Sequence, residues 1–210
     1  PSRITTNKKG QLLISDTKNH RIQIFSETGE FISTFGGYGT GESNFILPWG
    51  INVNKEDCIQ IADWGNSRIQ EFSPDGEYIR KYECSNTDGD RLNHPSDLAS
   101  DEDGCIYITD WGNEYLKVLN YEGNLVYTSR GESTLSKWAS EFLETNLEES
   151  KSRQEANLED ETIISKFTDP HTVSAHIEKY FWSPVAVTIG HDKDIYITES
   201  NRHRIQIFTK

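Results

Sequence analysis

Carboxylates and guanidinium groups recur at a fixed spacing along this 210-residue chain. Three acids precede an arginine by five positions: Asp16, Asp63 and Glu199. A fourth acid, Asp110, precedes Tyr115 instead. A carboxylate that faces a guanidinium forms two-pronged, charge-assisted hydrogen bonds, so each pair predicts either a structural clasp or a ligand contact. Asp110 lacks this cation, and we expect it either to bond to the Tyr115 hydroxyl or water, or to be free for a ligand.

Three histidines on predicted loops suggest a second kind of chemistry, which is metal binding. They are His94, His171 and His176, and the last two lie in the segment DPHTVSAHIEKYFWSP. Imidazole and carboxylate groups are ligands for zinc and iron, so these histidines could hold a single divalent metal with Asp97 or Asp169. The sequence contains no nucleophile elbow, P-loop, HExxH or dinucleotide-binding motif, and we predict no cofactor for the main interpretation.

The acids belong to a longer repeat that positions all of these groups. They are 47, 47 and 89 residues apart, and the same spacing separates Pro1, Pro48, Pro95 and Pro184. Each copy contains short runs of β-branched and aromatic residues bounded by Gly, Asn and Asp, which predict strands. Four short strands in each repeat of about 40–50 residues are typical of a β-propeller blade. The hexamer HRIQIF at 20–25 and 203–208 is one block of this repeat.

We therefore predict an all-β fold, a β-propeller of four-stranded antiparallel blades with about four blades in this chain. A single domain over 1–210 would contain blades at about 1–47, 48–94, 95–130 and 184–210. The fourth repeat stops after its third strand, and the chain opens on the first column of a repeat. We expect a fragment of a longer ring, with a small or open ring as the alternative.

The repeat resembles the NHL repeat, which is named for an Asn-His-Leu triplet. Its order is proline, an apolar strand, a turn, IYITD and NxxRIQxF, and NHR at 19–21 and RHR at 202–204 occupy the place of the triplet. The resemblance covers about 1–130 and 184–210 and implies a six-bladed, TolB-like ring. NHL propellers include RNA-binding and protein-binding domains, bacterial sensor domains and a metal-dependent peptide-amidating lyase, so the fold does not fix the function.

The segment 131–183 interrupts the repeat and predicts a helical insertion. Leu135, Trp138, Phe142 and Leu147 recur at helical spacing, which indicates one amphipathic helix that continues into EESKSRQEANLEDE. A shorter helix is predicted in TVSAHIEKYF, and a degenerate blade is the alternative for the whole segment. The apolar stripe needs a partner, so the helix is either a lid over the propeller or a surface for another protein.

The links from strand four to strand one and the turns from strand two to strand three open on the same side, which we call the mouth. Four of the five tryptophans lie there. Asp97 and Arg3 occupy one repeat column and are expected at the channel entrance. The predicted ligand-binding residues at this acidic, aromatic mouth are Trp49, Trp64, Asp97, Asp110, Trp111, Tyr115 and Trp182.

Charge and hydropathy limit the partners. The net charge of −13 disfavours nucleic acid, whose phosphates require Lys and Arg. No apolar run reaches the length of a membrane span, so none is predicted in this chain. We predict a non-catalytic binding or scaffold propeller for a peptide, a carbohydrate, another small molecule or a partner protein. The alternative is a metal-dependent lyase or hydrolase that uses His and Asp at the same mouth.

Overall fold

In the part of the chain that the structure describes, consecutive strands pair into four antiparallel sheets, each in chain order. The computed structural model describes residues 1–84, 90–160 and 162–209. Residues 85–89 of the predicted second blade, residue 161 of the predicted insertion and residue 210 lie outside the described residues. Among the described residues, three of the sheets have four strands and the last has three.

The strands have the following bounds. The first sheet contains β1 (Ile4–Thr6), β2 (Leu12–Asp16), β3 (Arg21–Phe25) and β4 (Phe31–Gly36). The second contains β5 (Pro48–Val53), β6 (Ile59–Asp63), β7 (Arg68–Phe72) and β8 (Tyr78–Tyr82). The third contains β9 (Pro95–Ser100), β10 (Ile106–Asp110), β11 (Tyr115–Leu119) and β12 (Leu125–Ser129). The fourth contains β13 (Pro184–Ile189), β14 (Ile195–Glu199) and β15 (Arg204–Phe208).

A tight turn joins the second and third strands of each sheet. In the second sheet Asp63 ends β6, Arg68 begins β7, and the two are cross-strand partners. Between them Trp64–Asn66 forms one turn of 3-10 helix, and Ser67 adopts a left-handed φ of 53°. The same left-handed conformation recurs in every sheet, at His20, Ser67, Glu114 and His203. Residues with a Cβ rarely adopt it, so specific bonds must hold this turn.

Apolar residues cover both faces of the central strands. On β6, Ile61 packs in a cluster with Leu13 of the first sheet, while its neighbour Ala62 packs with Leu98 of the third. These side chains are buried. Successive residues of a strand point to opposite faces, so this pattern requires sheets stacked face to face, as blades are in a propeller. The predicted all-β propeller fold is confirmed.

The segment between the third and fourth blades is helical. Its helices are α1 (Lys137–Thr145), α2 (Leu147–Glu155), α3 (Thr162–Lys166) and α4 (Pro170–His176). The described part of this segment contains one isolated bridge, between Glu159 and Ile177, and no strand. It therefore does not form the degenerate blade that was the alternative. None of the described helices has the length and apolar character needed to cross a membrane.

The helix predicted from Leu135 to Leu147 is shorter and ends in a break. α1 begins after Ser136, whose hydroxyl accepts the backbone N–H of Ala139 at 3.2 Å. The backbone leaves the helix at Asn146, with φ −119°, and the Asn146 side chain donates to the Phe142 carbonyl oxygen at 2.8 Å. The serine caps the first turn and the asparagine caps the last, so two short helices replace the predicted long one.

The apolar stripe of α1 does not cover the mouth. Trp138 is 84% exposed and Phe142 is 54% exposed, and α1 packs against α2. α4 lies at the mouth instead, where the His171 ring meets Trp111 edge-on with centroids 4.5 Å apart. The interpretation of α1 as a lid is therefore wrong, and the short C-terminal helix of the insertion takes that place.

Two arginines of the propeller anchor α4. Arg130 donates to the Pro170 carbonyl oxygen at 3.4 Å and to the Ser174 hydroxyl at 3.3 Å. Arg202 donates to the carbonyl oxygens of Ser174 and Ile177, the second at 2.9 Å. The last carbonyl groups of a helix have no partners within it, and Arg202 satisfies two of these at the end of α4. Together with the contacts of Arg130 to Pro170 and Ser174, this fixes the helix against the blades.

Candidate functional site

A buried ion pair holds the mouth turn of the second blade. Arg68 Nε donates to Asp63 Oδ2 at 2.9 Å, and the two side chains are 6% and 0% exposed. Asp63 Oδ1 accepts the backbone N–H of Ile46 at 2.8 Å, and Arg68 donates to the Asn44 carbonyl oxygen at 2.9 Å. Burial raises the pKa of Asp63 in spite of these bonds. The pair joins its own hairpin to the link from the first blade, which supports the structural clasp.

The third blade forms the same clasp with a different cation. Lys117 Nζ lies 2.9 Å from Asp110 Oδ2, and the side chains are 1% and 0% exposed. The prediction that Asp110 lacks a cation is therefore wrong. Lys117 follows Tyr115 by two residues and so lies on the same face of β11. It takes the position of Gln70, which bonds to Asp63 in the second blade. The Asp110 carboxylate is engaged inside its blade.

Three of the four left-handed turn residues, His20, Ser67 and Glu114, bond to the next blade along the chain. Their side chains accept backbone N–H groups from the residue directly before the proline that opens that blade. The donor and acceptor pairs are Leu47 N to His20 Nδ1 (3.0 Å), His94 N to Ser67 Oγ (3.4 Å) and Ser183 N to Glu114 Oε2 (2.7 Å). This repeated bond fixes neighbouring blades at the mouth and brings their turn residues side by side.

Five rings form a continuous row across the mouth, which we call the aromatic ribbon: Trp49, Trp64, His94, Trp111 and His171. The centroids of Trp49 and Trp64 are 6.0 Å apart, and those of Trp64 and Trp111 are 6.1 Å apart. The His94 ring packs 4.1 Å from Trp64 and 6.4 Å from Trp111. Trp49 is exposed and the other four rings are partly exposed. The structure therefore brings three of the predicted tryptophans together.

A carboxylate–imidazole pair closes the α4 end of the ribbon. Glu114 Oε1 contacts His171 Nδ1, and the Glu114 side chain is 0% exposed. Burial raises the pKa of Glu114 to about 8, against the opposing bond from the Ser183 N–H. Burial also lowers the pKa of His171, against the opposing charge of Asp169. The pair therefore carries a single proton around neutral pH.

Asp97 and Arg3 meet where the first strands of the blades converge. Arg3 Nη2 lies 2.9 Å from Asp97 Oδ2, and the Asp97 side chain is 1% exposed. The same oxygen accepts the backbone N–H of Val187 at 3.1 Å. Burial raises the pKa of Asp97 to about 6 in spite of the Arg3 charge. The Asp97 carboxylate thus joins blades one, three and four, and these contacts indicate a structural role.

The second blade approaches Asp97 through Gly50. A Cβ at Gly50 would lie 2.6 Å from Asp97 Cα and 2.9 Å from the Ser96 carbonyl oxygen, so blades two and three would have to separate. We expect Gly50→Ala to lower the free energy of unfolding by about 3 kcal/mol, measured by urea denaturation. In the control Gly41→Ala, the Cβ would meet a flexible side-chain atom at 3.2 Å. Equal losses in the two variants would contradict this packing.

Two further predicted residues lie outside the ribbon. The Arg130 guanidinium lies 5.5 Å from the ring centroid of Tyr115. The Arg202 guanidinium lies 5.5 Å from the ring centroid of Trp182, and the backbone N–H of Trp182 donates to Glu199 at 2.8 Å. Both rings therefore pack on the arginines that anchor α4, and they help to hold this helix at the mouth.

The predicted metal ligands lie in separate environments. His94 packs on Trp64, His171 belongs to the buried pair at the ribbon's end, and His176 is exposed and stacks on Phe167 at 5.7 Å. Within 1–84, 90–160 and 162–209, no group of three or more His, Cys, Asp or Glu side chains is placed to hold a metal ion. The described residues therefore do not fit the predicted metal site.

Sequence reasoning missed two residues of this site, and both stand out within the repeat. Glu114 is the acid in a column that otherwise holds His20, Ser67 and His203. Lys117 is the base in a column that otherwise holds Gln23, Gln70 and Gln206. A comparison of the columns for changes of charge, as well as for their shared pattern, would have found them.

Comparison with known families agrees with this architecture. Residues 1–94 match a family described as a 6-bladed beta-propeller, and residues 181–208 match the NHL repeat. The chain is therefore a β-propeller that carries an NHL repeat at 181–208. It is 40% identical to Protein brain tumor of Drosophila melanogaster over 48 residues, which are 23% of this chain and 5% of that protein.

Solved structures share the fold at low sequence identity. Virginiamycin B lyase from Staphylococcus aureus, in a catalytically inactive form with quinupristin, is 15% identical with a TM-score of 0.56, covering 100% of this chain and 55% of that one. Hydrazine synthase from Kuenenia stuttgartiensis is 11% identical with a TM-score of 0.55, covering 99% and 48%. The chain thus spans about half the length of these structures. The NHL repeat supports a binding or scaffold role in general.

Proposed function

We propose that this NHL propeller is a binding module that holds an extended peptide segment of a protein partner along the aromatic ribbon. The observation that carries the proposal is the spacing of 6.0 Å and 6.1 Å between the successive rings of Trp49, Trp64 and Trp111. Alternate side chains of an extended chain are about 6.6 Å apart. Every second residue of a bound segment can therefore meet the next indole.

The negative charge of the chain favours basic residues in such a peptide segment. With a net charge of −13, the propeller attracts basic partners. Arg and Lys side chains also stack on the face of an indole, where the ring quadrupole stabilises the cation. We therefore expect Arg or Lys at alternate positions of the bound segment.

The support beneath the ribbon favours binding because it fixes the rings before the ligand arrives. Trp64 and Trp111 each directly follow the acid of a buried clasp, Asp63 and Asp110. The bond from His94 N to Ser67 fixes the histidine that packs between the two indoles. Rings that are already ordered lose little conformational entropy on binding.

The proposal can be tested by selecting binders from a display library of short random peptides. We expect the selected peptides to carry alternating basic residues and to bind, in fluorescence anisotropy, about tenfold more weakly to Trp49→Ala and to Trp111→Leu. Trp138→Ala is the control, because Trp138 lies on α1 and is 84% exposed, and its affinity should equal that of the parent.

Two outcomes would contradict the proposal. The first is that no peptide is enriched, or that the enriched peptides bind Trp49→Ala as well as the parent chain. The second is that an oligosaccharide array gives ligands lost in the same variants, in which case the ribbon recognises carbohydrate.

The alternative of a lyase or hydrolase has no comparable support. It requires His and Asp ligands that converge at the mouth, and the described residues hold no such group. The likeness to virginiamycin B lyase at 15% identity concerns the fold alone.

A further inference from the structure

The helical insertion carries an exposed apolar surface that the mouth does not use. It consists of Trp138 and Phe142 on α1 and Leu147 at the start of α2, which are 84%, 54% and 76% exposed. Trp138 and Phe142 are four residues apart and so lie one above the other on the same face of α1. We call these three residues the helical surface.

A groove lies beside the helical surface, between α1 and α2. Its volume is about 510 Å³, and its described lining combines four leucines, Leu135, Leu143, Leu147 and Leu158, with seven polar or charged residues. Three of these seven are glutamates, among them Glu144, and one is Arg153. Leu147 belongs to both features, so the groove borders the helical surface at this residue.

The charges around this region are unbalanced. Each base of α1 and α2 is paired with a glutamate, in the pairs Lys137 with Glu141 (3.9 Å), Lys151 with Glu155 (3.8 Å) and Arg153 with Glu178. Glu144, Glu148 and Glu149 have no such partner among the described residues. Glu148 and Glu149 lie in the first turn of α2, where their negative charges interact favourably with the helix dipole and stabilise the helix. Their charge still faces solvent beside Leu147, so the uncompensated charge here is negative.

We infer that the helical surface and its groove bind a basic amphipathic helix of a partner protein. An amphipathic helix binds by placing apolar residues at positions i, i+3, i+4 and i+7 into an apolar groove. Basic residues that flank its apolar stripe would meet Glu144, Glu148 and Glu149. This site is separate from the aromatic ribbon and takes a ligand of different conformation.

Charge argues against the other occupants of an exposed apolar helix. Anionic lipid headgroups would be repelled by the same three glutamates. A second copy of this chain would bring an identical acidic surface and a net charge of −13 to the interface. A basic helix satisfies both the apolar and the electrostatic character of the region.

A synthetic peptide of leucine and lysine, with leucine at helical spacing, tests this inference. Its scrambled counterpart has the same composition and no apolar stripe. In fluorescence anisotropy, the amphipathic peptide should bind saturably and about tenfold more tightly than the scrambled peptide. Trp138→Ala and Leu147→Ala should each weaken it about fivefold. Both residues are exposed, so the variants should keep the parent circular dichroism spectrum.

Two further variants test the role of charge at this site and its independence from the mouth. Replacement of Glu144, Glu148 and Glu149 by Gln should weaken binding and reduce its dependence on salt. In Trp49→Ala, which weakens the mouth, the amphipathic peptide should still bind about tenfold more tightly than the scrambled peptide, so this inference can fail or hold independently of the proposed function. Loss of that preference in Trp49→Ala, with the preference kept in Trp138→Ala, would overturn the inference.

Four more results would also overturn it. They are equal binding of the scrambled peptide, unchanged affinity in Trp138→Ala, self-association of the parent chain that Trp138→Ala abolishes, and binding to phosphatidylcholine vesicles that depends on Trp138. The third outcome would identify a second copy as the occupant, and the fourth would identify a membrane surface.

Discussion

Lys117→Met is expected to lower the free energy of unfolding by about 3–5 kcal/mol, because it leaves a buried carboxylate without its cation. Asp110 is 0% exposed, and Lys117 is its ion-pair partner at 2.9 Å. Lys117 also donates to the carbonyl oxygens of Asp90 and Arg91, at 3.0 and 2.6 Å, so the link that precedes the third blade is loosened as well. Urea denaturation at neutral pH measures the loss.

Two controls isolate the buried charge. The first is the double variant Asp110→Asn, Lys117→Met, which should recover about 2 kcal/mol because no unpaired charge remains. The second is Arg21→Met, which removes the cation of the first blade. Arg21 is 43% exposed, so its loss should cost about 1 kcal/mol or less. A loss in Lys117→Met no greater than that in Arg21→Met would contradict the clasp.

The free energy of unfolding should fall by about 2–4 kcal/mol between about pH 6 and about pH 9, because Glu114 is buried. The folded protein holds the Glu114 proton up to about pH 8, whereas the ordinary pKa is 4.5. Protonation therefore favours the folded state, and this contribution is lost as the pH rises through about 8. Arg130 opposes the raised pKa, and Glu199 and Asp169 reinforce it.

Glu114→Gln should remove this fall in the free energy of unfolding at alkaline pH, because Gln can still accept the Ser183 N–H and does not ionise. The test is the difference in urea midpoint between the two pH values, compared for parent and variant. His171 acts on the acid side. Its pKa lies below 6.5, so the unfolded chain takes up the proton first and stability falls as the pH drops. A fall in stability of the same size at alkaline pH in Glu114→Gln would contradict the assignment of this fall to Glu114.

The fold could be predicted because each blade repeats the same pattern of charged and apolar residues. An acid such as Asp63 ends the second strand in every blade, and apolar residues such as Ile61 and Ala62 alternate towards both neighbouring blades. These are local signals with a fixed period. The break at Asn146 was missed because the apolar spacing is compatible with one continuous helix. The spacing alone does not reveal that the Asn146 side chain caps the helix and ends it.

The candidate site was predicted in part, for reasons that differ between residues. Trp49 lies at the start of the first strand of its blade, and Trp64 and Trp111 lie in the turns after the second strands, so their places follow from the repeat and their convergence could be foreseen. The contact between His171 and Glu114 depends on where a helix of the insertion docks. That docking is decided by two arginines far apart in sequence, Arg130 and Arg202, and no local pattern encodes it.

The central claim is that rings from neighbouring blades form a single binding surface at the mouth. The most direct measurement is a nitrogen-correlated NMR spectrum of the five indole N–H groups during titration with the tightest selected peptide. We predict that the signals of Trp49, Trp64 and Trp111 shift together with one saturation curve, while that of Trp138 does not move. Saturable binding with these three signals unchanged would contradict the claim.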